Sequence, residues 1–173
     1  MEKLSQHDLV FLDIGSGKPE RKPPNWWHLD IRRLPGVDFV ADARKLPFPD
    51  NSWDGITARD VIEHLPWRDI SDTLLEWLRV LKPGGWIEIQ TPDAMQLADI
   101  LDNRNHLSTR SSNEPDWMYF NRVAYGHQDY PENTHCSYFK QEWLISLMEE
   151  AGFKNIESIS ADVPMSFVLR GYK

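Results

Sequence analysis

The sequence predicts an α/β fold built on one mostly parallel sheet, and three observations predict it. Short apolar runs recur along the first half of the chain, most of them ending in an acidic or polar residue just ahead of a loop. One amphipathic segment, 70–81, separates the fourth of these runs from the fifth. The chain then closes with a second helical segment, 141–151, followed by two further runs. At 173 residues there is room for one domain and one core.

Residues 9–14 (LVFLDI) read as a buried parallel strand entering the tight turn Gly15-Ser16-Gly17. Residues 26–31 read as a second strand, 37–42 as a third, 53–58 as a fourth and 85–91 as a fifth. In the helix between the last two, Ile70, Leu74, Trp77, Leu78 and Leu81 share one face, and Lys82-Pro83-Gly84-Gly85 stops it. In the helix 141–151, Trp143, Leu144, Leu147 and Met148 turn inward, with Gly152 at its C-terminal cap. The runs 154–159 and 166–170 are expected to be an antiparallel pair.

Two connections are too short for crossover helices. Residues between Gly17 and Trp26 include Pro19, Pro23 and Pro24, and the link from Arg32 to Gly36 is shorter still. One sheet face therefore lacks helices around the first three strands. The aromatic stretch 115–139, or a second copy of the chain, is expected to cover it. The polar segment 103–114 reads as a mobile loop.

Composition narrows the function. Lysine and arginine total 19 against 27 acidic residues, a formal charge of −8, and no basic stripe appears, so a nucleic-acid partner is not expected. Cys136 is the single cysteine, which excludes an intramolecular disulfide and a cysteine-based zinc cluster. The opening residues carry no signal-peptide pattern, and no apolar run approaches the ~18 residues of a membrane span. A cytoplasmic enzyme without membrane attachment is the expectation.

The glycine turn is the first chemical signal. Gly15 and Gly17 let the backbone approach a ligand closely. A dinucleotide fingerprint needs a third glycine three residues past Gly17, where Glu20 stands, and Pro19 blocks the helix that would hold a pyrophosphate. No Gly-Lys-Ser/Thr follows. Nicotinamide chemistry and an NTPase-type phosphate loop are both disfavoured. The strand-end acids sharpen the signal. Asp30, 17 residues after Asp13, can accept both hydroxyls of a ribose, Asp42 can accept from an adenine amino group, and Asp13 suits a cationic group. Each alone could be a turn cap.

These residues carry a resemblance. Residues 12–17 (LDIGSG), Leu29-Asp30, Asp42-Ala43 with Leu46-Pro47-Phe48, Ser52-Trp53-Asp54, 61–65 (VIEHL) and 81–85 (LKPGG) are similar, in order and spacing, to the signatures of class I S-adenosylmethionine-dependent methyltransferases of the type 11 sort. The resemblance covers about residues 9–92 and implies a Rossmann-like sheet in the order 3-2-1-4-5-7-6 with the last strand antiparallel. The missing first crossover helix sets the chain with a small subset of such proteins. It further implies that Asp13, Gly15, Ser16 and Gly17 approach the donor's methionine part. Asp30 and Ile31 would hold the ribose, Asp42 and Ala43 the adenine, and Arg59, Asp60 and His64 would line the methyl side. The donor would leave as S-adenosylhomocysteine. Residues 1–92 would form a donor half, 93–139 an acceptor and lid insertion, and 140–173 a C-terminal helix and hairpin.

Catalysis is less legible, because methyl transfer from a sulfonium needs mainly an in-line approach and a base only if the acceptor loses a proton. His64, His127 and His135 are the candidates. The loop 126–135 (GHQDYPENTH) concentrates imidazoles, carboxylates and amides. His127, Asp129 and His135 could in principle hold a metal, although no metal is assigned; the loop could simply cover the sheet, or His135 could serve as base or acceptor-binding group. The expected acceptor is a small molecule of sugar or natural-product type. The alternative is a non-catalytic donor-binding or scaffold subunit that pairs with another chain, a homodimer through the under-covered sheet face among them.

Overall fold

The computed structural model describes residues 9–19, 23–102 and 115–173, so the segment expected as a mobile loop, 103–114, lies outside the described residues. The strands are β1 (Phe11–Ile14), β2 (Trp26–Asp30), β3 (Phe39–Val40), β4 (Trp53–Arg59), β5 (Leu81–Pro92), β6 (Lys154–Ile159) and β7 (Ser166–Tyr172). They join in one sheet in the order β3-β2-β1-β4-β5-β7-β6, as expected. β1 to β5 pair in parallel, and β7 runs antiparallel to both neighbours.

Among the described residues, four α-helices accompany the sheet: α1 (Ile70–Val80), α2 (Ala94–Leu101), α3 (Asp116–Tyr125) and α4 (Gln141–Ala151). α1 and α4 lie where the apolar spacing put them, and Gly152, at φ +107°, ends α4 in the left-handed region; Trp143, expected to turn inward, is instead exposed, with the Lys140 ammonium over its ring. The helix α1 stops at Val80 because Leu81 is already extended and pairs with Trp53, so β5 begins four residues earlier than expected. β3 is shorter than the expected 37–42, since past Val40 the Asp42 carboxylate caps its own turn on the Arg44 backbone N–H. Two helices escaped the periodicity. α2 starts at Asp93, whose side chain accepts from Met95 N at 2.9 Å, and α3 starts after Pro115 and ends at Gly126.

Strand alternation divides the core from a second, different face. Leu12, Ile14, Ile56, Ala58, Ile87, Ile89 and Leu169 point to one side, where Leu74 and Trp77 of α1 and Leu144 and Met148 of α4 bury completely. Each such side chain contributes about 1.5–3 kcal/mol of transfer free energy. Among the described residues, the opposite face carries no such layer. There Phe11 stacks on Trp26 at 5.1 Å between ring centroids and tilts against Trp86 at 6.0 Å, and Arg170 covers the Trp86 ring at 5.5 Å. Farther along, Thr57 donates to Asp13 at 2.7 Å, and Glu88 pairs with Arg170 and Arg59. The face is dressed by its own aromatic and charged side chains.

The stretch 115–139 was expected to cover that face, and its contacts run elsewhere. Phe139 bridges to Asp93 beside the end of β5, and the backbone N–H groups of Cys136 and Ser137 donate to the Glu63 carbonyl at 2.7 and 3.0 Å. The stretch therefore closes over the C-terminal edge of the sheet. Among the described residues, no helix is long and apolar enough to cross a membrane.

Candidate functional site

The C-terminal ends of the strands open onto a cavity of about 680 Å³, within the usual range for a small-molecule site. Strand order sets its layout. The ends of β2 and β3 form one flank, β4 the middle, and β5 and β7 the other flank, with α3 and the loop after it closing the top.

The first flank holds the glycine turn. Gly15 and Gly17 have φ +68° and +58°, a region that side chains resist. A Cβ on Gly15 would lie 2.2 Å from Val61 Cγ2, which ties the turn to the segment after β4. Gly15→Ala is expected to lower stability by about 1–3 kcal/mol, read by thermal unfolding; an unchanged melting temperature would remove the close approach from the design of the site. Asp30, buried, accepts from Gly17 N at 2.8 Å and from Arg32 N and Nε at 2.9 and 3.1 Å. It thus holds the turn in shape while facing the cavity. Arg32 also stacks its guanidinium 3.8 Å from the centre of the Tyr130 ring, latching the loop after α3 to the end of β2. Asp42 is gripped by Arg44 at 2.7 Å, which holds its carboxyl below the usual range, and Arg44 also reaches Asp69.

The middle of the cavity is formed by Arg59, Asp60, Glu63 and His64. Asp60 sits in the left-handed region at φ +52° and accepts from Gln90 Nε2 at 3.0 Å. Non-glycine residues held there cluster at functional sites. Glu63 is 1% exposed; its Oε2 accepts from Thr91 Oγ1 at 3.1 Å, while Oε1 has no hydrogen-bond partner. Burial pushes its carboxyl up to about 8. His64 Nδ1 lies 3.3 Å from the Thr134 carbonyl, and its ring meets that of His135 edge-to-face at 4.8 Å. Burial lowers both imidazoles, His135 to about 4. Both are therefore neutral at pH 7 and keep a free lone pair.

The other flank is apolar and aromatic. Pro92, Met165 and Val163 face Tyr119 and Val123 of α3, with Arg122 and Ser166 as polar points.

The structure brings together on this cavity Gly15, Gly17, Asp30, Ile31, Asp42, Ala43, Arg59, Asp60, His64, His127 and His135. Asp13 and Ser16 are not part of the lining. The Asp13 side chain points to the helix-free face, where Thr57 and His28 engage it, because alternation along β1 sends it away from the cavity. The three strand-end acids hence do not converge: only Asp30 and Asp42 reach the cavity wall. The set His127, Asp129 and His135 is not gathered either. Asp129 accepts from Asn133 within its own loop, and the ligating atoms that lie within 4.8 Å of one another come from Glu63, His64 and His135. Glu63 stood in the sequence only within the signature 61–65 (VIEHL), with no role of its own, although its place next to His64 was the available signal. Tyr130 stood in the sequence only as one residue of the loop 126–135 and Arg32 only at the start of a short link, and their pairing became visible only as a contact across 98 residues, from 32 to 130.

A seven-stranded sheet with one reversed strand beside its edge, ligand-facing glycines after β1 and acids after β2 and β3 defines the Rossmann-like fold of methyltransferases. The profile of the family described as "Methyltransferase domain" matches residues 3–158, and the chain belongs to that family. Among curated relatives, the ubiquinone/menaquinone biosynthesis C-methyltransferase of Ectopseudomonas mendocina (strain ymp) is 32% identical over 130 residues, 69% of this chain and 46% of its own length. The demethylmenaquinone methyltransferase of Clavibacter sepedonicus is 33% identical over 159 residues, 82% of this chain and 58% of its own. The chain thus spans about half the length of these relatives. Among solved structures, a SAM-dependent methyltransferase from Archaeoglobus fulgidus superposes with a TM-score of 0.67 at 16% identity, over 95% of this chain and 86% of that one. The Burkholderia thailandensis 1,6-didemethyltoxoflavin-N1-methyltransferase, solved with 1,6-didemethyltoxoflavin and S-adenosylhomocysteine, gives 0.62 at 14% identity, over 95% and 70%.

Proposed function

We propose that this chain transfers a methyl group from S-adenosylmethionine to a small hydroxylated aromatic acceptor, leaving S-adenosylhomocysteine. The observation that carries the reading is the division of one cavity into two unlike flanks, a glycine–carboxylate flank and an aromatic–apolar one, with the β4 residues between them. The first flank fits the donor. Close backbone at Gly15 and Gly17 admits the methionine part, the lone pairs of Asp30 left over from Gly17 and Arg32 accept the ribose hydroxyls, and Asp42 and Ala43 flank the adenine. When bound, the donor supplies a methyl carbon on a cationic sulfur, and transfer leaves a neutral thioether. Arg59, Asp60 and His64 face that point from the end of β4.

On the acceptor side, the walls of Tyr119, Val123, Val163 and Met165 favour an aromatic ring over a sugar. The relatives named for ubiquinone, menaquinone and didemethyltoxoflavin substrates support the same class. Residues 115–139 supply the lid and 9–19 with 23–92 the donor half, and the net charge of −8 speaks against a nucleic-acid acceptor. His135 holds the acceptor through a lone pair. At about 4 it is too weakly basic to carry a proton at pH 7.

The test is methyl transfer from labelled S-adenosylmethionine to matched panels of hydroquinones or phenols and of sugars. Turnover confined to the aromatic panel is expected, and turnover of sugars alone would overturn the acceptor class. His135→Ala is expected to lower kcat/KM for the acceptor at least 10-fold with donor affinity within about twofold, the loss of one hydrogen bond to a bound group. Equal losses in both would move His135 to the donor side.

A further inference from the structure

We infer that Glu63, His64 and His135 form a binding site for one divalent transition-metal ion of the zinc class. One ligating atom from each residue lies within 4.8 Å of the others. Ligands around a tetrahedral zinc stand about 3.4 Å apart, given metal–ligand distances of ~2.1 Å, so side-chain rotation of roughly an ångström closes the set. The donor chemistry fits as well: two imidazoles and one carboxylate, with a fourth position open, is a zinc arrangement used in catalytic sites.

Two independent features point to an ion rather than to chance proximity. First, Glu63 is 99% buried and, among the described residues, its Oε1 has no hydrogen-bond partner, and His135 Nδ1 is likewise buried without one. Bare carboxylate oxygen and bare imidazole nitrogen in the same pocket corner leave two polar atoms whose desolvation nothing offsets. Second, both histidines are held in place. His64 gives Nδ1–H to the Thr134 carbonyl, leaving Nε2 as the lone-pair nitrogen, and the His135 ring is held edge-to-face against His64 at 4.8 Å. Ligating histidines are held as His64 is, with the second ring nitrogen on a backbone carbonyl. The carboxylate is positioned similarly, by Thr91.

The whole strap from Thr134 to Ser137 serves this corner. Its N–H groups at 136 and 137 fasten to the Glu63 carbonyl, and Ser137 Oγ fastens to the Leu65 carbonyl at 2.7 Å. The ligands thus come from two segments about 70 residues apart in sequence, locked together by backbone hydrogen bonds. With an ion bound, the His135 lone pair would hold a deprotonated acceptor hydroxyl through the ion rather than directly. That last point rests on the methyltransferase reading; the metal site does not.

The experiment is titration of Zn²⁺ into the chelator-stripped chain against a chromophoric competitor, with Co²⁺ absorption as a second readout. Expected are one Zn²⁺ per chain and the visible bands of tetrahedral Co²⁺. His135→Ala and Glu63→Gln are each expected to weaken binding by about 100-fold or more, beyond the loss caused by removing a group that merely orients a ligand. His127→Ala is expected to bind as the parent does. No stoichiometric site, or one that survives His135→Ala, would overturn the inference, and would assign the corner to a protonated Glu63 shared with His135. The Co²⁺ spectrum of the unaltered chain decides even if Glu63→Gln fails to fold. Donor affinity measured on the same stripped sample keeps failure of the metal site distinct from failure of the methyltransferase reading.

Discussion

Asp30→Ala is expected to weaken binding of S-adenosylmethionine by about 100-fold or more. The carboxylate is asked to do two things. It would accept the ribose hydroxyls, and hydrogen bonds to a charged acceptor contribute about 1.5–3 kcal/mol each, so losing the pair amounts to at least two decades in Kd. It also accepts from Gly17 N at 2.8 Å and from Arg32, so its removal leaves the glycine turn and the Tyr130 latch without their anchor. Asp30→Asn separates the two roles. The amide keeps one acceptor oxygen for Gly17 N but turns its NH2 toward the Arg32 donors, so a stability loss of about 1–3 kcal/mol is expected while donor affinity falls by roughly tenfold, the cost of one charged hydrogen bond. Calorimetry and thermal unfolding on the two variants read the roles apart. Unchanged donor affinity in Asp30→Ala would sink the ribose assignment.

Trp77→Ala is expected to cost about 3–5 kcal/mol, the range for emptying a fully buried indole site. Trp77 is 0% exposed in the layer between α1 and the sheet, and its Nε1 donates to the Ala43 carbonyl at 2.9 Å. The helix therefore reaches through the core to hold the loop that carries Asp42 and Ala43 against the cavity. Trp77→Phe fills most of the volume but leaves that carbonyl unpaired, at about 1–3 kcal/mol, and is expected to weaken donor binding as well as stability. Chemical denaturation measures both. A Trp77→Ala chain as stable as the parent would mean that α1 is not the main cover of the sheet.

The sheet was legible because buried parallel strands write continuous apolar runs, and α1 and α4 because one-sided burial writes a helical period. Residues 11–14 and 53–58 declared themselves in this way. The helices α2 and α3 did not. Their faces border a cavity and each other rather than the core, with Met95, Trp117 and Met118 exposed, so no clean apolar stripe forms. Of the site, the turn Gly15–Gly17 and Asp30 could be read because tight turns and strand ends restrict residue type. Asp13 misled for a simple geometric reason: one step from the edge of β1, alternation decides its face, and it went to the side of Thr57 and His28. Glu63 and the pairing of Arg32 with Tyr130 depend on tertiary contacts between distant segments, and neither periodicity nor local spacing encodes those.

The measurement that bears most directly on the methyltransferase reading is calorimetric titration of the purified chain with S-adenosylmethionine and S-adenosylhomocysteine, with NAD as the comparison. Micromolar binding of both sulfur ligands, one per chain, and none of NAD is expected from the flank formed by Gly15, Gly17 and Asp30. Binding of neither sulfur ligand would contradict it, and would leave the chain a member of the family by fold that does not take the donor on its own.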